Sequence, residues 1–165
     1  LIRNIKEREL DESDLVRISY EDAERLSKFQ LSAGDIVFSR VGRVGSCFLA
    51  TEKHEGWVFS GQTLRIRPIS GIETKYLFYA LTSDRSLKTI EEESVGSTRT
   101  SINTAILEGL EIFVPPLVEQ KKIAEILTSL DDQIEAIELK LVQLESLKKS
   151  LMGDLLTGRV RVSVD

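Results

Sequence analysis

The sequence predicts an α+β protein, with a small mixed, β-rich head and short helices over residues 1–115 and a long coiled-coil helix over residues 116–165. Three observations carry that expectation. Short runs between residues 36 and 67 alternate apolar and polar side chains with period two and are bounded by turn residues, the pattern of half-buried antiparallel strands. Stretches of helical period follow between residues 75 and 107. Beyond Pro115-Pro116, an apolar seam continues with no Gly or Pro from Leu117 to Met152, which is a coiled-coil pattern. A chain of 165 residues, 41% hydrophobic and 30% charged, accommodates one domain and a small extra element and excludes disorder and a full multi-domain enzyme.

The elements follow in order. Ser19-Tyr20-Glu21-Asp22 resembles a capping box that opens a short helix running toward Phe29. Ala33-Gly34-Asp35 then turns the chain into the strand Ile36-Val37-Phe38. Strand signals recur at Ser46-Cys47-Phe48-Leu49 and at Thr63-Leu64-Arg65-Ile66-Arg67, and Lys53-His54-Glu55-Gly56 between them supplies turn chemistry, so successive antiparallel strands are expected. Residues 75–82 and 86–93 carry helical patterns. Gly96 to Ser101 is a polar loop, Ala105 to Leu107 a helical turn, and Leu110 to Val114 a last strand, ended by two prolines that cannot donate to a ladder.

In the long helix, Leu127, Ile134, Leu141, Lys148 and Leu155 fall at heptad a sites, and Ile123, Leu130, Ile137, Leu144 and Leu151 at d sites; nine of these ten are apolar. The 36 residues from Leu117 to Met152 span about 54 Å at a rise of about 1.5 Å per residue, longer than a small head is wide. One chain holds one such helix, so a second chain is the expected partner and the ten seam residues the dimerisation surface. Lys148 at a core site costs stability but penalises registers that bury it. The heptads do not set the direction of pairing.

The net charge of −5 argues against a nucleic-acid partner, because Lys and Arg supply most of the affinity for phosphate. Its distribution argues otherwise. Residues 7–24 alone carry −6, whereas residues 39–67, with Arg40, Arg43, Lys53, Arg65 and Arg67 against Glu52 and Glu55, carry +3. A basic face on an acidic protein is compatible with DNA.

Signs of catalysis are missing. No P-loop, serine elbow, methyltransferase cofactor loop or metal-ligand pair is present, and the Glu-x-Lys triplets at Glu73-Thr74-Lys75 and Glu119-Gln120-Lys121 open predicted helices rather than lying on strands. One cysteine, Cys47, and one histidine, His54, cannot build a zinc site of the common types. No catalytic residue, metal or cofactor is therefore expected, and His54 is expected to face solvent from its turn. The lone cysteine fits a reducing cytoplasm. No apolar run approaches the roughly 18 residues of a membrane span, so a soluble protein is expected, and a first residue of Leu rather than Met suggests a missing upstream part.

Candidate DNA contacts lie in two loops. Gly42-Arg43-Val44-Gly45 has the G-x-x-G form that clamps single strands in KH domains, but that loop joins helices and this one joins strand signals. The plainer reading is a tight hairpin or bulge using glycine at positive φ. Either way Arg40 and Arg43 stand near a strand end, where long basic side chains can reach phosphates or base edges. Ser97, Thr98, Arg99 and Thr100 form either an ordinary connector or a hydroxyl-rich set of phosphate contacts. Lys53 is the remaining candidate. Phe38, Phe48, Trp57 and Phe59 are read as core rather than stacking platforms.

Leu31-Ser32-Ala33-Gly34-Asp35-Ile36-Val37-Phe38-Ser39-Arg40, then Gly42 and Gly45, Gly96-Ser97-Thr98 with Ile102-Asn103, Val114-Pro115-Pro116-Leu117-x-Glu119-Gln120-x-x-Ile123-Ala124 and Leu155-Leu156-Thr157-Gly158 together resemble the specificity subunit of type I restriction-modification systems. The resemblance covers residues 31–162 and rests on the order and spacing of the pieces. It implies a target-recognition domain that reads half of a bipartite double-stranded DNA sequence. It also implies a helical spacer packed antiparallel on another, methyltransferase subunits that hold the catalytic machinery, and a restriction/translocase subunit. Family members usually carry two such units, so this chain looks like a half-subunit whose recognition domain lacks its first few tens of residues. The rival class is a coiled-coil scaffold whose head binds protein.

Overall fold

The computed structural model describes residues 2–42, 45–94 and 101–163. It divides into two compact units, residues 1–124 and 125–165. The first is built on a three-stranded antiparallel sheet: β1 (Ile36–Ser39) lies between β2 (Cys47–Leu49) and β3 (Thr63–Ile66). Val37 stands opposite Phe48 on one side and Arg65 on the other. The central strand is thus the first one, and β2 and β3 flank it without pairing.

Side-chain alternation divides the core. Ile36 and Phe38 of β1, with Cys47 of β2, enter one cluster with Phe78, Leu81, Ile90 and Ile102; Leu64 and Ile66 of β3 pack against it. Val37 and Phe48, on the opposite face, join Ile5, Leu31 and Ala50, with Leu10, Trp57 and Phe59 against them. Because both faces are covered, all four residues of β1 are buried. Phe38 and Phe48 are core, and Trp57 and Phe59 border it.

The helices are α1 (Tyr20–Arg25), α2 (Thr74–Leu81), α3 (Asp84–Ser94), α4 (Thr104–Glu108) and α5 (Leu117–Leu156). The Ser19 hydroxyl accepts the Asp22 N–H, as the capping signal requires. However, α1 stops at Arg25, and a separate 3₁₀ turn at Ser27–Phe29 follows where one helix to Phe29 was expected. The turn after β2 is also a 3₁₀ helix, Glu52–His54, capped by Thr51. Leu110 to Val114, expected as a strand, belongs to none: Leu110 and Ile112 pack on the core, but no strand among the described residues lies beside them. Strand propensity without a partner yields an extended segment only.

The first turns of α5 belong to the first unit and are held there by Gln120, only 1% exposed. Its side-chain oxygen accepts the Glu73 N–H at 2.9 Å, and its amide donates to the Pro115 carbonyl at 2.8 Å. The Tyr76 hydroxyl donates to the Phe113 carbonyl close by. From Leu117 the whole helix counts 40 residues, past Gly153, or about 60 Å. In the second unit the seam is open to solvent: Ile134 is 53% and Leu141 54% exposed, where packed core residues would be nearly covered.

Candidate nucleic-acid interface

The chain leaves β1 at Arg40, whose N–H donates to the Gln62 carbonyl at 3.0 Å and whose carbonyl accepts the Ile102 N–H at 2.7 Å. Val41 and Ser101 form an isolated antiparallel bridge next to it. These bonds draw Arg40 and Val41, just before Gly42, together with Ser101 and Ile102 at one end of the sheet. Gly42 and Gly45 have φ of 94° and 79°, which agrees with the plain turn reading. A side chain at Gly45 would also meet Leu87 Cδ2 at 2.3 Å, so Gly45 sits tight on α3. Arg43, Ser97, Thr98, Arg99 and Thr100 lie outside the described residues.

The Arg40 guanidinium is exposed and makes one long contact, 3.5 Å to the Gly61 carbonyl. The other described bases of the 39–67 stretch are engaged within the fold. Both Arg67 bonds to Asp35 measure 2.7 Å. Burial would raise the Asp35 carboxyl, but the bonds from Arg67 and the Ser32 N–H outweigh it and hold the carboxyl below its ordinary value. Arg65 donates to the Gln30 carbonyl at 2.8 Å and lies over the Phe59 ring. Lys53 follows the far end of β2, at the opposite end of the sheet from Arg40, and pairs with Glu12 Oε1 at 2.5 Å. The structure therefore brings Arg40, Val41 and Ser101 together and leaves Lys53 apart.

His54 corrects the expectation of a solvent-facing residue, being only 3% exposed. Its Nδ1 accepts the Thr51 N–H at 2.9 Å, and the Phe48 and Trp57 rings stand edge-on to it at 5.5 and 4.9 Å. The capping role draws the ring inward, because Nδ1 replaces a missing helical acceptor while the ring faces join the core. Burial lowers its pKa, and the neighbouring Lys53 charge adds to that effect. Cys47 is wholly covered, and burial pushes its thiol up to about 12, so it holds its proton rather than acting as a nucleophile. No group of three or more His, Cys, Asp or Glu among the described residues could hold a metal ion. Nor is any described helix long and apolar enough to cross a membrane.

Sequence reasoning missed two organising residues. Asp35 is the N-terminal anchor of β1, and its signal was the turn Ser32-Ala33-Gly34-Asp35, in which Gly34 has φ 91° and the carboxylate returns to the Ser32 N–H at 2.8 Å. Gln120 stands in the Pro115-Pro116-Leu117-x-Glu119-Gln120 piece of the family resemblance, but nothing in that pattern indicates its buried bonds.

Comparison with known proteins gives the family. The family model described as type I restriction modification DNA specificity domain matches residues 4–146, and the chain belongs to that family. The type I restriction enzyme MjaVIII specificity subunit of Methanocaldococcus jannaschii is 38% identical over 91 residues, 55% of this chain and 21% of the relative. A second protein of that organism, provisionally named the type I restriction enzyme MjaX specificity subunit, is 32% identical over 96% of this chain and 39% of its own length. The chain therefore spans well under half of these relatives. The HsdS subunit of Thermoanaerobacter tengcongensis shares the fold with a TM-score of 0.60 at 19% identity, over 74% of this chain and 32% of that one. A chain from a structure of type I R-M complex assembly aligns with a TM-score of 0.65 at 18% identity, over 81% and 36%.

Proposed function

We propose that this chain is a DNA-reading specificity module that directs methyltransferase and restriction/translocase subunits to a bipartite double-stranded target in the cytoplasm, and that it carries no catalytic group of its own. The observation that carries the DNA-reading role is the gathering of Arg40, Val41 and Ser101 at one end of the sheet, next to the two candidate loops in sequence. Arg40, Arg43 and the Ser97 to Thr100 loop form the main contact surface, and Lys53 gives a separate, weaker contact, since Glu12 competes for it. Family membership supports the partner subunits, and the scaffold alternative is not favoured.

We further propose that the head, residues 1–115, and the spacer, residues 116–165, act as one half-unit that dimerises through Ile123, Leu127, Leu130, Ile134, Ile137, Leu141, Leu144, Lys148, Leu151 and Leu155, with the helices antiparallel. The exposed apolar seam supports this, because burying one large aliphatic side chain is worth about 1.5–3 kcal/mol. Duplex binding at two salt concentrations, with the methyltransferase present, tests the DNA-reading role. Charge reversal at Arg40 and Arg43 is expected to weaken binding and lower the salt slope by about one per lost phosphate contact. Affinity and slope both unchanged would leave that face as solvated surface only.

A further inference from the structure

Two segments of this chain have strand character and no strand partner among the described residues. One is Leu110–Val114, whose side chains alternate: Leu110 and Ile112 pack against the core, while the Glu111 side chain is 90% and Phe113 76% exposed. No backbone-to-backbone hydrogen bond joins Glu111–Val114 to another described segment. The other is Arg159-Val160-Arg161-Val162-Ser163, which follows α5 after the positive-φ turn at Gly158 and alternates basic and β-branched side chains. Val160 and Val162 are 54% and 73% exposed, a composition that suits a pleated, half-covered strand.

We infer that the Arg159–Ser163 segment of a second copy adds as a strand to the Leu110–Val114 segment, so that each copy straps the other's head. The inference rests on the proposed antiparallel dimer, in which the Leu155 end of one seam lies beside the Ile123 end of its partner and so delivers the strap to the residues just before α5. The two patterns match face for face. With Val160 and Val162 turned inward they extend the apolar edge of Leu110 and Ile112. Arg159 and Arg161 then share the outer face with Glu111 and Phe113, where a carboxylate and an aromatic ring both attract a guanidinium. Present competitors are loose and exposed: Glu111 stands 3.8 Å from Arg85, and Arg159 3.9 Å from Asp154. Strand addition also supplies backbone-to-backbone bonds that Glu111–Val114 lacks, while the Phe113 carbonyl keeps the Tyr76 hydroxyl and the Val160 N–H exchanges its bond to the Asp154 carbonyl.

Amide hydrogen exchange on the full chain tests this, with sedimentation run alongside on the wild type, on Val162→Pro and on the seam variant Ile134→Asp with Leu141→Asp. Proline at 162 removes a strand donor outside every helix and strand of the fold, so the head and the seam stay intact. Exchange at Ile112–Val114 is expected to be at least about tenfold faster in Val162→Pro, which remains dimeric, and equally fast in the monomeric seam variant. Equal rates in wild-type and Val162→Pro dimers overturn the strap and leave the dimer standing. Slow exchange retained in the seam monomer overturns the second copy as the occupant. A wild type that sediments as a monomer overturns both the strap and the dimer beneath it.

Discussion

Gln120 shows how one neutral side chain can join a helix to a folded head. Its amide satisfies three backbone groups around the α2 and α5 termini: the Glu73 N–H and the carbonyls of Pro115 and Gly71. Replacing it with Ala strands those groups in a buried setting, a loss of about 1–3 kcal/mol, to be read as a lowered urea midpoint; an unchanged midpoint would mean that water takes over its bonds. His54 gives a second residue-scale expectation. Its pKa is lowered by burial, first, and by Lys53, while the unfolded chain titrates near the ordinary value of about 6.5. As pH falls through that value the unfolded state takes up a proton that the folded state refuses. Stability is therefore full above about pH 6.5 and declines below it. Glu12 and Asp35, also lowered, add their own loss only below the ordinary carboxylate range. Unfolding midpoints between about pH 8 and about pH 5 are expected to fall for the wild type and to stay level for His54→Gln, and parallel declines would locate the proton elsewhere.

At the scale of elements, the seam of α5 is the clearest feature. Ile134 and Leu141 sit at adjacent a positions and are about half exposed in the single chain. Changing both to Asp would bury two charges without partners in any dimer built on the seam, so sedimentation is expected to show monomers; a dimer that survives both changes removes the seam from the account. The helix was legible in the sequence because periodicity over many turns is a strong, local signal. So were α2, α3 and the three strands, which Gly34 and Gly56 punctuate with φ of 91° and 76°. The order of the strands was not legible, because Ile36-Val37-Phe38 is buried on both faces and its period of two is hidden in an apolar run. Leu110 to Val114 was misread for the opposite reason, since it has a strand's alternation and lacks a neighbour. His54 and Gln120 were missed because their burial depends on contacts from distant parts of the chain, with Glu12 and Glu73.

The whole molecule joins a head that gathers Arg40, Val41 and Ser101 at one end of its sheet to a helix with an unburied seam, and the proposed role follows from doubling it. In the proposed dimer, two identical heads related by a two-fold axis would read identical half-sites, so an interrupted palindrome is the expected target. If the helices pair as proposed they form a rigid spacer, and removing one heptad from each would shorten it by about 10 Å, or about three base pairs at roughly 3.4 Å per step. Arg43 and Ser97 to Thr100, part of the proposed DNA surface, lie outside the described residues, and DNA itself offers the test of that role. The most direct measurement is a genome-wide map of methylated adenines in cells that express this chain with its partner methyltransferase, once with the native helix and once with one heptad removed. The account predicts a palindromic motif with an unread gap that shortens when the heptad is removed; an asymmetric motif, or a gap indifferent to helix length, would contradict it.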